Sequence, residues 1–440
     1  MNTKTYIKFY LINVVNVFFL FLANFVFKFI EPNYFICNTI NDYKFFSITI
    51  SYPISCDQES YYSAIRNLPT LFTEGYVYQG RPLFITVNNL ISNFIDFISF
   101  SNITDFDVAI HISIILLNIF VVTLSSILFL KILNKDLSNN ISTYFLISLV
   151  LCASPLNKWG IFDPSNQLWT LLIIIFNTYL ITKKDNINYK TSLLVGCLVL
   201  IHRIFIVGYT LVFLILLIEK VLKFNVKDLS HIFKMLTISI LPFVLYNLYI
   251  FIFENQIPYD ENSSHYGQFI WLPLYLFTSK RFEGGWHCME IPNFLTCYLV
   301  DNFQLILYLI VPLLFVIINN PLKAYRNNFG LEKLIKFCAL IYLFYSLIGW
   351  YPPIRFSYYS IGNLIILLNV FLLLNYKDKI LKILHLFSVL SFMIFLNHWN
   401  YEGIIDINIG IIASIIIFVV YLINYFLSIN KEQKINEKNE

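Results

Sequence analysis

Asp57 stands in Ser55-Cys56-Asp57-Gln58-Glu59-Ser60-Tyr61-Tyr62-Ser63-Ala64-Ile65-Arg66, soon after the first apolar run and at the head of a short helical pattern. Asp is a favoured N-cap, because its carboxylate accepts from backbone N–H groups of the first turn. A carboxylate fixed beside a membrane can also act as a general base or hold a divalent cation. The two roles can coexist, so Asp57 is a catalytic candidate. Glu59 is a second one, two residues on. On a helix that spacing points the two carboxylates apart, so a jointly acting pair would need non-helical backbone. Arg81, in Tyr78-Gln79-Gly80-Arg81-Pro82-Leu83-Phe84, opens the next helical stretch. Its guanidinium suits a phosphate through paired N–H donors, or snorkels to the membrane surface. His202 and Arg203 lie between the apolar stretches Val195–Ile201 and Ile204–Val207, and Arg355 lies in Tyr351-Pro352-Pro353-Ile354-Arg355-Phe356-Ser357. Ionisable groups at such depth generally face the bundle interior or a wet cavity. Lys280 and Arg281 add cations to the same side. Asp163, in Gly160-Ile161-Phe162-Asp163-Pro164, is a further substrate-binding candidate, although Asp-Pro is a common turn starter.

The elements that must position these residues are membrane helices. The chain of 440 residues is 58% hydrophobic and 13% charged, far from soluble usage. Apolar runs fall near 7–30, 107–130, 141–156, 168–182, 191–201, 204–218, 235–253, 302–319, 337–350, 358–375, 383–398 and 406–428. Most of the 30 Lys and Arg residues occupy alternate gaps between them: Lys4 and Lys8, then Lys131 and Lys135, Lys183 to Lys190, Lys220 to Lys234, Lys323 to Lys336, Lys377 to Lys382, and Lys431 to Lys438. Short basic loops stay cytoplasmic. The expected fold class is therefore all-α, a polytopic helical bundle of about twelve spans with both termini inside. The first run is longer than a signal-peptide core and no small-residue cleavage site follows, so it is expected to remain as a span. The net charge of +4 comes from cations beside membrane helices, which implies lipid headgroups as partners and no nucleic acid.

One membrane domain, 1–440, is expected, with two large outside loops at 31–106 and 254–301. Within the first, Tyr61, Ile65 and Leu68 share a helix face. In 81–100, Leu83, Phe84, Val87, Leu90, Ile91, Phe94 and Ile98 keep helical spacing, interrupted by Thr86, Asn88, Asn89, Ser92, Asn93, Asp96 and Ser99. That mixture predicts a helix lying in the interface rather than a span. Cys37 and Cys56 fall in the first loop, and Cys288 and Cys297 in the second. They are disulfide candidates if the outer compartment is oxidising, and unpaired thiols otherwise.

No P-loop, dinucleotide fingerprint, zinc-ligand spacing or serine-hydrolase elbow occurs, and the sequence names no cofactor. Chemistry outside the cell membrane would then draw on a lipid-linked donor. In layout the chain resembles the GT-C superfamily of polytopic glycosyltransferases. That family carries an acidic residue in the first outside loop, helices along the membrane in that loop, and basic residues for a lipid phosphate. The resemblance implies Asp57 as the acid, 31–106 as the loop, and Arg81, Arg203 and Arg355 as phosphate partners. It also implies a polyprenyl-phosphate-linked sugar donor, a glycan, lipid or protein acceptor, and a bacterial inner-membrane location with the site facing outside. The chain departs from the paired acidic signature of some members, having Asp57-Gln58-Glu59, which leaves metal dependence open. O-antigen-type polymerases and ligases share much of this layout. A lipid or polysaccharide flippase is the third class, and midplane polar groups or inverted repeats would mark it.

Overall fold

The computed structural model describes residues 3–27, 40–45, 48–53, 58–73, 80–98, 106–134, 141–162, 166, 168–183, 186–220, 226–253, 306–307, 309–320, 328–348, 351–395 and 409–439. After α1 (Thr3–Phe27) comes a two-stranded antiparallel hairpin, β1 (Ile40–Phe45) and β2 (Ile48–Pro53), with Ile40 opposite Pro53 and Phe45 opposite Ile48. This hairpin adds strand structure to a chain expected to be wholly helical. Among the described residues the elements after it are helices: α2 (Gln58–Arg66), α3 (Thr70–Thr73), α4 (Pro82–Ile98), α5 (Phe106–Ile132), α6 (Ile141–Ala153), α7 (Pro155–Phe162), α8 (Trp169–Thr182), α9 (Tyr189–Val199), α10 (Ile204–Lys220) and α11 (Val226–Phe253). Then follow α12 (Ile310–Asn319), α13 (Phe329–Ile348), α14 (Tyr351–Asn375), α15 (Lys379–Phe395) and α16 (Ile409–Asn439).

Among the described residues, Phe106–Ile132, Leu229–Ile252 and Ile411–Ile429 are long and apolar enough to cross a membrane. Ile141–Ala153 and Leu156–Phe162, bent by 80° at their junction, make a fourth if taken as one broken span. Several other apolar helices are shorter, among them α8, α9, α12 and α4.

Helix α8 is the centre of the bundle. Its sequence is apolar all round, and a helix with no polar face is stable only when enclosed. All but two of the positions from Trp169 to Thr182 are buried, against α5, α10, α13 and α14. Polar side chains join helices at several places in this apolar interior. Asn13 donates to Thr123 Oγ1 and to the Tyr144 hydroxyl, both at 2.8 Å, and accepts from Ser148, binding α1 to α5 and α6. Asn118 of α5 donates to the Gly160 and Ile161 carbonyls of α7 at 3.0 and 3.2 Å. Water cannot compete at such positions, so satisfied side-chain bonds hold one helix register against another.

Helix α4 buries part of the polar set of 81–100. Its buried face holds Asn88 and Ser92 beside Phe84 and Ile95. Ser113 of α5 donates to Asn88 Oδ1 at 3.1 Å, and Asn89 donates to the Ile65 carbonyl of α2 at 2.7 Å. The outward face carries large apolar side chains, Leu90 64%, Phe94 62% and Phe97 78% exposed, with Asn93 and Asp96 among them. The helix thus turns Asn88 and Ser92 towards protein partners while its large apolar side chains Leu90, Phe94 and Phe97 face outwards.

Candidate functional site

The start of α4 and the turn between α9 and α10 are tied backbone to backbone, Leu83 N–H donating to the Leu200 carbonyl at 3.1 Å. Pro82 at the first helical position needs no N–H partner and presets the helical φ. Across from it, the α9–α10 turn is closed by His202 N–H on the Leu198 carbonyl at 2.9 Å and Phe205 N–H on the His202 carbonyl at 3.0 Å. Asn166 anchors the same turn from outside, donating to the Ile201 carbonyl at 2.9 Å. Residues 80–83 and 200–203 are therefore held side by side, and each segment carries an arginine.

The Arg203 guanidinium lies on the backbone of Gly80. A β-carbon built on Gly80 would meet Arg203 Nη2 at 2.6 Å, Nε at 2.7 Å and Cζ at 2.8 Å. On its other flank Arg203 Cζ stands 5.4 Å from the centre of the Phe243 ring of α11, within cation–π range. Arg81 is half-buried, donates from Nη1 to the Tyr61 hydroxyl, and has Cζ 5.7 Å from the Tyr61 ring centre. Tyr61, only 1% exposed, is itself fixed edge-on to Phe84 at 5.8 Å. Tyr246 extends the wall from α11, donating to the Leu71 carbonyl at 3.4 Å and meeting the Phe72 ring edge-on at 6.3 Å.

His202 lies in the turn, buried, with Nδ1 accepting from the Ile204 N–H at 3.3 Å. That bond assigns the proton of the neutral ring to Nε2. Burial, together with the Arg81 charge, pushes the pKa from 6.5 down to about 3. His202 is thus a neutral N–H donor at ordinary pH and not a proton acceptor. Two guanidiniums and one neutral imidazole make a donor-rich site suited to an anion with several oxygens, phosphate above all.

Three of the residues singled out in the sequence, Arg81, His202 and Arg203, meet here. Glu59 is elsewhere. It projects from the exposed face of α2, its side chain 77% exposed, and pairs with Arg66 at 3.3 Å. Arg66 in turn forks onto Asp107 at the start of α5, with Nε on Oδ1 at 2.7 Å and Nη2 on Oδ2. Arg355 falls in the first two turns of α14, and its side chain lies outside the described residues. Asp57, Asp163, Lys280, Arg281, Cys37, Cys56, Cys288 and Cys297 also lie outside them. Cys152, Cys197 and Cys338 are free thiols. Among the described residues no three His, Cys, Asp or Glu side chains come together as a metal site.

Gly80, Tyr61 and Phe243 are the participants that sequence reasoning missed. Tyr61 was legible only as part of the buried face of α2, and Phe243 only as one apolar residue of a long helix. A second ionisable residue, Lys158 of α7, is 2% exposed and far from this cluster in kind. Its Nζ donates to the Met393 and Ile394 carbonyls at 3.2 and 2.8 Å, at the C-terminal end of α15. Helix C-termini attract cations. No protein-family model, curated protein or solved structure matches the chain.

Proposed function

We propose that the chain is an integral membrane glycosyltransferase that moves a sugar from a polyprenyl-phosphate-linked donor to an acceptor on the outer side of the membrane. The observation that carries this reading is the meeting of Arg81, Arg203 and the neutral His202 beside a helix that exposes Leu90, Phe94 and Phe97. A donor that is lipid at one end and phosphate at the other matches both surfaces. The alternation of basic gaps adds the frame: about twelve spans, both termini cytoplasmic, with the arginine pair on the outer side.

In this mechanism the acceptor hydroxyl attacks the anomeric carbon as the bond from that carbon to the phosphate oxygen breaks. The bonding pair leaves with the polyprenyl phosphate, and Asp57 takes the hydroxyl proton. Attack opposite the leaving group inverts the anomeric centre. Arg81 and Arg203 stabilise the charge growing on the phosphate, often the largest contribution to such catalysis. Arg355 is a third candidate partner for the phosphate, and Lys280, Arg281 and Asp163 are further candidates for substrate binding.

The test is product formation in proteoliposomes supplied with a polyprenyl-phosphate sugar and a glycan acceptor. Asp57→Asn keeps size and helix-capping ability, since Asn caps about as well as Asp, and removes proton acceptance. It is expected to lower turnover by roughly 10²-fold or more with expression unchanged. Full activity in that variant refutes the assignment and leaves Asp57 as a helix cap.

A further inference from the structure

We infer that Gly80 is a positioning residue: its bare backbone is the seat on which the Arg203 guanidinium lies, and this seat holds Arg203 next to Arg81 so that both address one phosphate. The inference rests on the anion-binding reading of the site given above and identifies what sets its geometry.

The argument begins with the space at Gly80. The three nearest atoms that a β-carbon would meet there, all below 3 Å, belong to the head of one side chain, Arg203. A side-chain head can move where backbone cannot, so a methyl group at this position displaces Arg203 first. The α4 start itself is secured independently by the Leu83–Leu200 backbone bond, which a side chain at Gly80 does not touch. A displaced Arg203 would leave both the Gly80 backbone and the Phe243 ring 5.4 Å away. Because Gly80 directly precedes Arg81, the seat of one guanidinium and the origin of the other are neighbouring residues of one chain segment. The spacing of the pair is then built into the backbone. Arg81 has its own fixed point in the Tyr61 hydroxyl. Two long flexible side chains are each ordered before a ligand arrives, which lowers the ordering cost of binding.

The experiment measures binding of dodecyl phosphate to the full-length protein in lipid nanodiscs by calorimetry, so no turnover is required. Gly80→Ala is expected to melt within a degree or two of wild type and to bind about tenfold more weakly. Placed in an Arg203→Gln background, the same change should have no further effect, because a residue acting through Arg203 has nothing left to act on. Tyr61→Phe gives an independent arm, weakening binding in the parent but not in an Arg81→Gln background. Equal weakening by Gly80→Ala in both backgrounds, or unaltered binding, overturns the positioning role while the anion site stands. A Gly80→Ala protein that fails to fold in both backgrounds assigns Gly80 to the scaffold and also overturns it. Absence of dodecyl phosphate binding to the wild-type protein overturns the anion reading itself.

Discussion

Protonation of His202 offers a direct measurement of how tightly the site is enclosed. The imidazole keeps its proton acceptor on the Ile204 N–H and is pushed from 6.5 down to about 3 by burial and by Arg81. Near pH 7.5 it is neutral in both folded and unfolded chains and contributes no pH dependence. Below 6.5 the unfolded chain takes up the proton, while the folded chain resists until about pH 3. The unfolded state then binds more protons, so this group's contribution is fully present above 6.5 and is lost as pH falls towards 3. At about pH 4.5, two units below the ordinary value, the loss amounts to roughly 3 kcal/mol. With an unfolding entropy of about 2 cal/mol/K per residue, that corresponds to a melting-point difference of about 3 °C. The comparison protein is His202→Gln, which retains an amide oxygen for the Ile204 N–H and an N–H donor but does not titrate. Arg81, whose charge acts on the imidazole, is present in both proteins and cancels in the difference. Intrinsic fluorescence of the six tryptophans follows unfolding in detergent near pH 7.5 and near pH 4.5. Wild type should lose about 3 °C more than the variant over that interval. An equal loss in the two proteins, or a larger one in the variant, would show that the imidazole is wet and refute the enclosure of the site.

Two other outcomes follow from different parts of the molecule. A cysteine substituted for Asn262 should react with a membrane-impermeant maleimide in intact cells, and one substituted for Lys227 should not; the reverse sidedness would remove the outward-facing reading. Gly330→Ala should lower the melting point markedly, because the added carbon would collide with the Ile132 carbonyl oxygen at the close approach of α13 to α5. Backbone cannot rotate away as a side chain can, so a cost of about 3 kcal/mol is expected, and an unchanged melting curve would contradict the packing described.

The parts of the site that were legible in the sequence are those where a charge interrupts an apolar run. Arg203 and His202 could be found that way because burying an ionisable group is costly and needs a reason. Gly80 could not, since its role depends on an arginine far along the chain filling the space a side chain would occupy. Glu59 was assigned to chemistry from its type and its nearness to Asp57. Its actual partners, Arg66 and through it Asp107, come from tertiary folding that brings α2 onto the start of α5. For α4 the periodicity gave a helix with two faces and was right in that. It could not say which face meets protein, because part of the polar set, Asn88 and Ser92, turns inward. The hairpin did leave a signal: Ile48, Ile50 and Tyr52 alternate with polar residues, a period of two in a chain otherwise read for helices. Of the runs read as spans, several yield helices of fewer than eighteen residues, which length alone does not mark as membrane-crossing.

The seat of Lys158 makes α15 a gauge. At its start stand Lys379 and Lys382, with Lys377 just before. At its far end the carbonyls of Met393 and Ile394 rest on a buried ammonium from α7. The seventeen residues of the helix correspond to about 25 Å of rise, close to the thickness of a hydrocarbon core. In the proposed topology both ends are thereby pinned, one by charge that stays in water and one by a side chain that another helix supplies. A single inserted residue would swing the terminal carbonyls by about 100° and advance them about 1.5 Å, leaving the ammonium among side chains. Slippage along the helix axis is closed to this part of the protein. In that topology a bilayer thicker or thinner than the gauge would be met by tilting α15 together with α7, or by the lipid itself.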